Sequence, residues 1–134
     1  MKKTLNFLSF ILLVFLVFNT FFRNHAEADV KESYAKISQG KAILIDVRED
    51  SEVKEGMIKG ALWIPLSKIS SNPKSESEII KRLGQGKEIY LYCRSGTRSG
   101  KVQSILAEQD IKSVNLGGFS SLVSENLPTQ PGPQ

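Results

Sequence analysis

The chain has 134 residues but a single cysteine, Cys93, and a single histidine, His25. A lone cysteine cannot close a disulfide within the chain, so its thiol is a buried inert group, an intermolecular partner or a reactive centre. His25 falls in an N-terminal stretch that reads as a removable leader, and the remainder then has no imidazole. Cys–His and Ser–His pairs are excluded from that remainder, and a zinc site of the usual Cys/His kind has no ligands there. No metal and no cofactor is expected. Charge of one sign is also scarce. The formal net charge is +4, yet setting aside Lys2, Lys3, Arg23 and Glu27 from the 18 basic and 14 acidic residues leaves +2. A nearly balanced domain without a basic block has no electrostatic footprint for nucleic acid. There is no internal repeat. What is present, 40% hydrophobic and 24% charged residues, is the balance of one folding globular domain and argues against disorder.

The N-terminus has the three parts of an export signal: Lys2-Lys3, an apolar core from Phe10 to Phe18, and Ala26-Glu27-Ala28 as a small-x-small cleavage site. This reading makes residues 1–28 a signal peptide, starts the mature chain at Asp29, and sends it to the periplasm or cell envelope. The competing reading is an uncleaved membrane anchor, since the apolar stretch extends loosely from Leu5 to Phe22. Asn6, Ser9, Asn19 and Thr20 interrupt it and favour cleavage. Contact with a membrane is expected only if the segment is kept.

Beyond the leader, helical and strand patterns alternate. Val30, Tyr34 and Ile37 recur at helical spacing and stop at Gly40. Ala42-Ile43-Leu44-Ile45 is a continuous apolar run suited to a strand buried on both faces, and it ends at Asp46. Polar residues Glu49 to Glu55 suit a brief helix before Gly56, and Ala61 to Ile64 a strand stopped by Pro65. Ser75 with Glu78 three places on forms a capping box for a helix with Ile79, Ile80 and Leu83 on its inner face. Glu88 to Tyr92 is a strand leading into Cys93. Val102, Ile105 and Leu106 mark a helix that opens near Arg98 or Ser99, and Ile111 to Leu116 reads as a last strand. The domain spans residues 29–127, and the tail Pro128 to Gln134 is too rich in Pro, Gly and Gln to pack. The alternation predicts an α/β domain with a mainly parallel sheet and helices on both faces.

In such sheets ligands bind beyond the carboxyl ends of the strands, where Cys93 stands. The loop Cys93-Arg94-Ser95-Gly96-Thr97-Arg98-Ser99 has small residues that let successive N–H groups curl around one point. Closed by a helix N-terminus, that cradle is an anion site. With Arg94 and Arg98 nearby, it favours thiolate over thiol, as a nucleophile without a histidine partner requires. The cradle would also hold an anionic sulfur donor such as thiosulfate. Attack by Cys93 on its outer sulfur would leave a persulfide, which cyanide or a thiol could unload. Blander readings exist for each residue: Cys93 as a buried small hydrophobe, Arg94 and Arg98 as solvated charges, Ser99 as an N-cap only.

The loop resembles the active-site loop of single-domain rhodaneses. Ile45-Asp46-Val47-Arg48-Glu49 and Gly56-Met57-Ile58-Lys59-Gly60-Ala61-Leu62-Trp63-Ile64-Pro65 resemble that family's upstream signature, and Asn115-Leu116-Gly117-Gly118-Phe119 its final strand and turn. The likeness covers about Val30 to Leu127. It implies a rhodanese-like fold with a five-stranded, mainly parallel sheet and Cys93 as persulfide carrier. It also implies that Asp46 and Arg48 lie near the site, as catalytic groups or as a structural ion pair. Two positions depart from the pattern: Met57 stands where the family usually has histidine, and Ser120-Ser121-Leu122 where a tryptophan often follows. The first would alter packing beside the site and the second would open the domain's edge. Expected partners are a small anionic sulfur donor and a thiol or cyanide acceptor. Rival readings are a sulfur carrier or docking module without turnover, and a cysteine phosphatase or arsenate reductase. Those enzymes place five residues between Cys and Arg, whereas Cys93 and Arg98 enclose four.

Overall fold

The computed structural model describes residues 7–134. Its elements run α1 (Phe7–Ser38), β1 (Ala42–Asp46), α2 (Asp50–Val53), β2 (Met57–Ile58), β3 (Ala61–Trp63), α3 (Leu66–Ser71), α4 (Pro73–Leu83), β4 (Glu88–Cys93), α5 (Thr97–Glu108), β5 (Val114–Gly118), α6 (Phe119–Ser124) and β6 (Thr129–Gln130). β3, β1, β4 and β5 lie side by side in that order, every neighbouring pair parallel. The fold is α/β, as the alternating pattern requires.

Because side chains alternate across a strand, the central strands feed two separate apolar clusters. Leu44, Tyr90 and Tyr92 point to one face, where Val30, Tyr34 and Ile37 of α1 and Leu122 of α6 cover them. Ile45, Leu91 and Cys93 point to the other and meet Ile69 of α3, Ile80 of α4, and Val102 and Leu106 of α5. Both faces are covered, which is why β1 and β4 read as nearly unbroken apolar runs.

Several details differ from the sequence-based expectation. Among the described residues the parallel sheet has four strands, not five, and the further pairing is a small antiparallel ladder of β2 with β6. That ladder also corrects the reading of the tail as unpacked: Lys59 N–H donates to the Pro128 carbonyl at 2.8 Å, and Gly60 N–H to the Gln130 side-chain oxygen at 2.9 Å. A tail poor in apolar residues can still be held by its main chain. Helix α4 starts at Pro73, two residues before the expected capping box, since proline lacks the N–H that a first helical turn leaves unpaired. β5 begins at Val114 because Ile111 N–H closes the end of α5 on the Leu106 carbonyl.

At the N-terminus, α1 runs continuously from Phe7 and carries exposed apolar side chains from Ile11 to Val17. Among the described residues no helix is long and apolar enough to cross a membrane. Lys2, Lys3 and Leu5 lie outside the described residues, as do the side chains of Ala26, Glu27 and Ala28.

Candidate active site

β4 delivers Cys93 to the carboxyl end of the sheet, between β1 and β5. The chain then turns through Gly96, whose φ of 94° lies in the left-handed region, and enters α5 at Thr97. This turn aims the Gly96 N–H at the Cys93 Sγ, 3.0 Å away, while the Ser99 hydroxyl lies 3.3 Å from the same atom. The loop also approaches the end of β5 closely. A Cβ on Gly118 would stand 2.5 Å from the Arg94 carbonyl oxygen, so a side chain there would displace the loop backbone.

Cys93 is only 1% exposed. Burial pushes its thiol up, but hydrogen bonds from the Ser99 hydroxyl and from the Ser99, Ser95 and Gly96 amides outweigh it, and the net shift is downward. The sulfur is thus anion-prone although apolar residues surround it.

Arg98 is committed elsewhere. Its Nη1 and Nη2 donate to Glu52 of α2 at 2.5 and 2.6 Å, a two-pronged pair. That contact holds the Glu52 carboxyl down to about 2, and together with the Cys93 and Glu49 charges it raises Arg98. Arg98 is thus matched by the Glu52 carboxylate, and the hydrogen bonds that favour the anion come from the Ser99 hydroxyl and loop amides. Arg94, Ser95 and Thr97 are exposed on the rim, with the Ser95 and Thr97 hydroxyls 3.3 Å apart. Ser99 is not an N-cap; it is fully buried inside the first turn of α5 and reaches Sγ, the Gly96 carbonyl and Asn115.

Asp46 and Arg48 form a buried ion pair at the end of β1, with Arg48 Nη2 2.7 Å from Asp46 Oδ2 and the Arg48 N–H also donating to Asp46. Nη2 further donates to the Gly56 carbonyl at 2.6 Å, and the guanidinium lies 4.1 Å from the centre of the Phe119 ring. The pair ties β1 to the α2–β2 turn and to α6. Trp63 of β3 joins this tie by donating to the Arg48 carbonyl at 2.8 Å.

Met57 lies in the cluster on the face opposite Cys93, so its replacement of histidine alters packing away from the sulfur. After Phe119, Leu122 is fully buried while Ser120 and Ser121 are exposed, so the edge is closed by leucine. Glu52 and Asn115 were not among the expected site residues. Glu52 sat in a polar run that signalled only a short helix, and Asn115 in a run that signalled a strand. A hollow of about 480 Å³ opens beside the loop, between Ser95–Thr97 and Asn115–Gly117. A larger one, about 1050 Å³, lies at the amino ends of β4 and β5, away from the thiol.

A parallel α/β sheet ending in a cysteine loop closed by a helix is the arrangement found here, and the residues 29–125 that build it match the rhodanese-like domain. The chain belongs to the rhodanese-like family, and several of its curated relatives are named as sulfurtransferases. It is 43% identical over 86 residues to "Putative sulfurtransferase YtwF" of Bacillus subtilis, covering 63% of this chain and 77% of that one. A sulfurtransferase of Allochromatium vinosum is 36% identical over 88 residues, covering 64% and 76%. Among solved structures, SSP1007 from Staphylococcus saprophyticus superposes with a TM-score of 0.57 at 30% identity, over 74% of this chain and 94% of that one.

Proposed function

We propose that Cys93 transfers sulfane sulfur through a persulfide, with thiosulfate or a similar small anion as donor and cyanide or a thiol as acceptor. The observation that carries this reading is the buried Cys93 sulfur held by the Ser99 hydroxyl and the Gly96 amide at the end of β4. The thiolate attacks the outer sulfur of thiosulfate, the S–S bond of the donor breaks, and sulfite leaves with the bonding pair. The enzyme is left as Cys93–S–S⁻. Cyanide then attacks the outer sulfur, thiocyanate departs, and the Cys93 thiolate is restored, so the two half-reactions alternate. An outer sulfur about 2 Å beyond Sγ would extend toward the loop mouth, where Arg94, Ser95 and Thr97 stand on the rim. The 1% exposure of Cys93 favours small donors over bulky ones.

The full chain is expected to form thiocyanate from thiosulfate and cyanide, and Cys93→Ala to abolish it. A persulfide that forms but does not turn over points instead to a carrier that needs a protein acceptor, and neither product points to a docking module. Hydrolysis of an aryl phosphate that depends on Cys93 would revive the phosphatase reading; the four-residue span to Arg98 and the engagement of Arg98 by Glu52 speak against it. The leader-like residues 1–28 support export to the periplasm or cell envelope. Mass analysis of the protein from its host is expected to show an N-terminus at Asp29, and an intact N-terminus would indicate an anchor.

A further inference from the structure

Ser99 has one hydroxyl proton and three acceptors in reach: Asn115 Oδ1 at 2.7 Å, the Gly96 carbonyl at 3.1 Å and Cys93 Sγ at 3.3 Å. The Asn115 amide has no freedom to turn over. Its Oδ1 must face the Gly117 N–H, which can only donate, at 2.9 Å, and its Nδ2 must face the Gly96 carbonyl, which can only accept, at 2.8 Å. Asn115 Oδ1 therefore accepts from Ser99. The same side chain grips the residue whose N–H points at Sγ, so two of the donors to the sulfur, the Ser99 hydroxyl and the Gly96 amide, are held by one half-buried asparagine on β5.

We propose that Asn115 is a positioning residue for Cys93, keeping the Gly96 amide aimed at the sulfur and giving the Ser99 proton an alternative resting place. When the sulfur is anionic, the charge outcompetes the neutral amide oxygen and the hydroxyl turns to Sγ. When Sγ becomes the inner, uncharged atom of an S–S bond, the proton swings back to Asn115 Oδ1. No covalent bond changes in Asn115 or Ser99; only the hydroxyl rotor moves. The inference deepens the reading of Cys93 as the reacting atom and rests on it. Other charged groups around the loop are Arg94, Arg98 with its partner Glu52, Glu49, and the Asp46–Arg48 pair, and none of them is altered in the test.

The test is a pH titration of the full chain by the ultraviolet absorbance of its thiolate, with Cys93→Ala as blank. Cys93 is the only cysteine, so the signal belongs to one atom. Asn115→Ala is expected to move the midpoint upward and to cut the thiolate fraction on the acid side of the midpoint by roughly tenfold, the size of one lost hydrogen bond to a charge. The increment is larger when Ser99→Ala is already present, because no hydroxyl is then released to the sulfur to offset the lost aim of the Gly96 amide. Should Asn115→Ala not fold, the uncharged Asn115→Leu, similar in size but without hydrogen-bonding groups, supplies the same pair of measurements, with the midpoint again raised and the rise larger beside Ser99→Ala. An unmoved or lowered midpoint, or an increment that is no larger beside Ser99→Ala, overturns the proposal. The titration needs no sulfur donor, so its failure is separate from any failure of sulfur transfer.

Discussion

At the scale of single residues, the account turns on how a thiol without a histidine partner is ionised. Burial opposes the anion, and a hydroxyl with three amides reverses the balance. A thiolate is the nucleophilic form of cysteine, so the rate of sulfur loading is expected to rise with pH and level off at a midpoint below that of an ordinary thiol. Ser99→Ala should raise that midpoint and slow loading at neutral pH by about tenfold, read from the pH profile of the single-turnover rate. Access is a second residue-scale property: iodoacetamide should label Cys93 far faster than a bulky maleimide. The loop was legible in the sequence as a strand running into a glycine turn and a helix, but the burial of Cys93 in an apolar cluster was not, since a cysteine among arginines, a glycine and hydroxyls reads as a poor core residue. The destination of Arg98 was not, since its partner Glu52 is 46 positions away and nothing local marks the pair.

Among the elements, strands were easier to read than their boundaries. The apolar runs of β1 and β4 are buried on both faces and left a continuous signal. By contrast, the start of α4 was set by Pro73 against a competing Ser75–Glu78 pattern, and β5 by where α5 lets go of Ile111. The tail was misread because composition reports on side-chain burial, whereas β6 is held through main-chain bonds. Deleting residues 128–134 is therefore expected to lower stability modestly, by about 1–2 kcal/mol for the few hydrogen bonds lost, as measured by urea unfolding. The close approach of β5 to the loop gives a sharper prediction. Gly118→Ala leaves the sheet paired but pushes against the Arg94 carbonyl, so sulfur-transfer activity should fall at least tenfold while stability falls by only about 1–3 kcal/mol.

On the scale of the whole molecule, buried and half-buried charge pairs hold the surroundings of the loop in register. Glu52 is held at about 2 by Arg98, well below the usual carboxylate value of 4.5. Its folded value is depressed, so its contribution to stability is present above 4.5 and is lost as pH falls from there toward 2. Urea midpoints of the wild type should decline across that window, and Glu52→Gln should start lower at neutral pH and decline less. The fold class followed from alternating apolar runs and periodic helices, patterns that a single chain carries along its length. Pairings across the fold, such as Arg48 with the Gly56 carbonyl or Asn115 with the Gly96 carbonyl, are set by how the elements close and leave no such pattern.

The central claim is that Cys93, held as an anion by Ser99 and Gly96, takes up a single sulfur atom. The intact mass of the full chain after brief exposure to thiosulfate at neutral pH tests it most directly. The predicted result is an adduct of one sulfur, absent in Cys93→Ala and removed by cyanide. An unchanged mass, or an adduct that persists without Cys93, would contradict it.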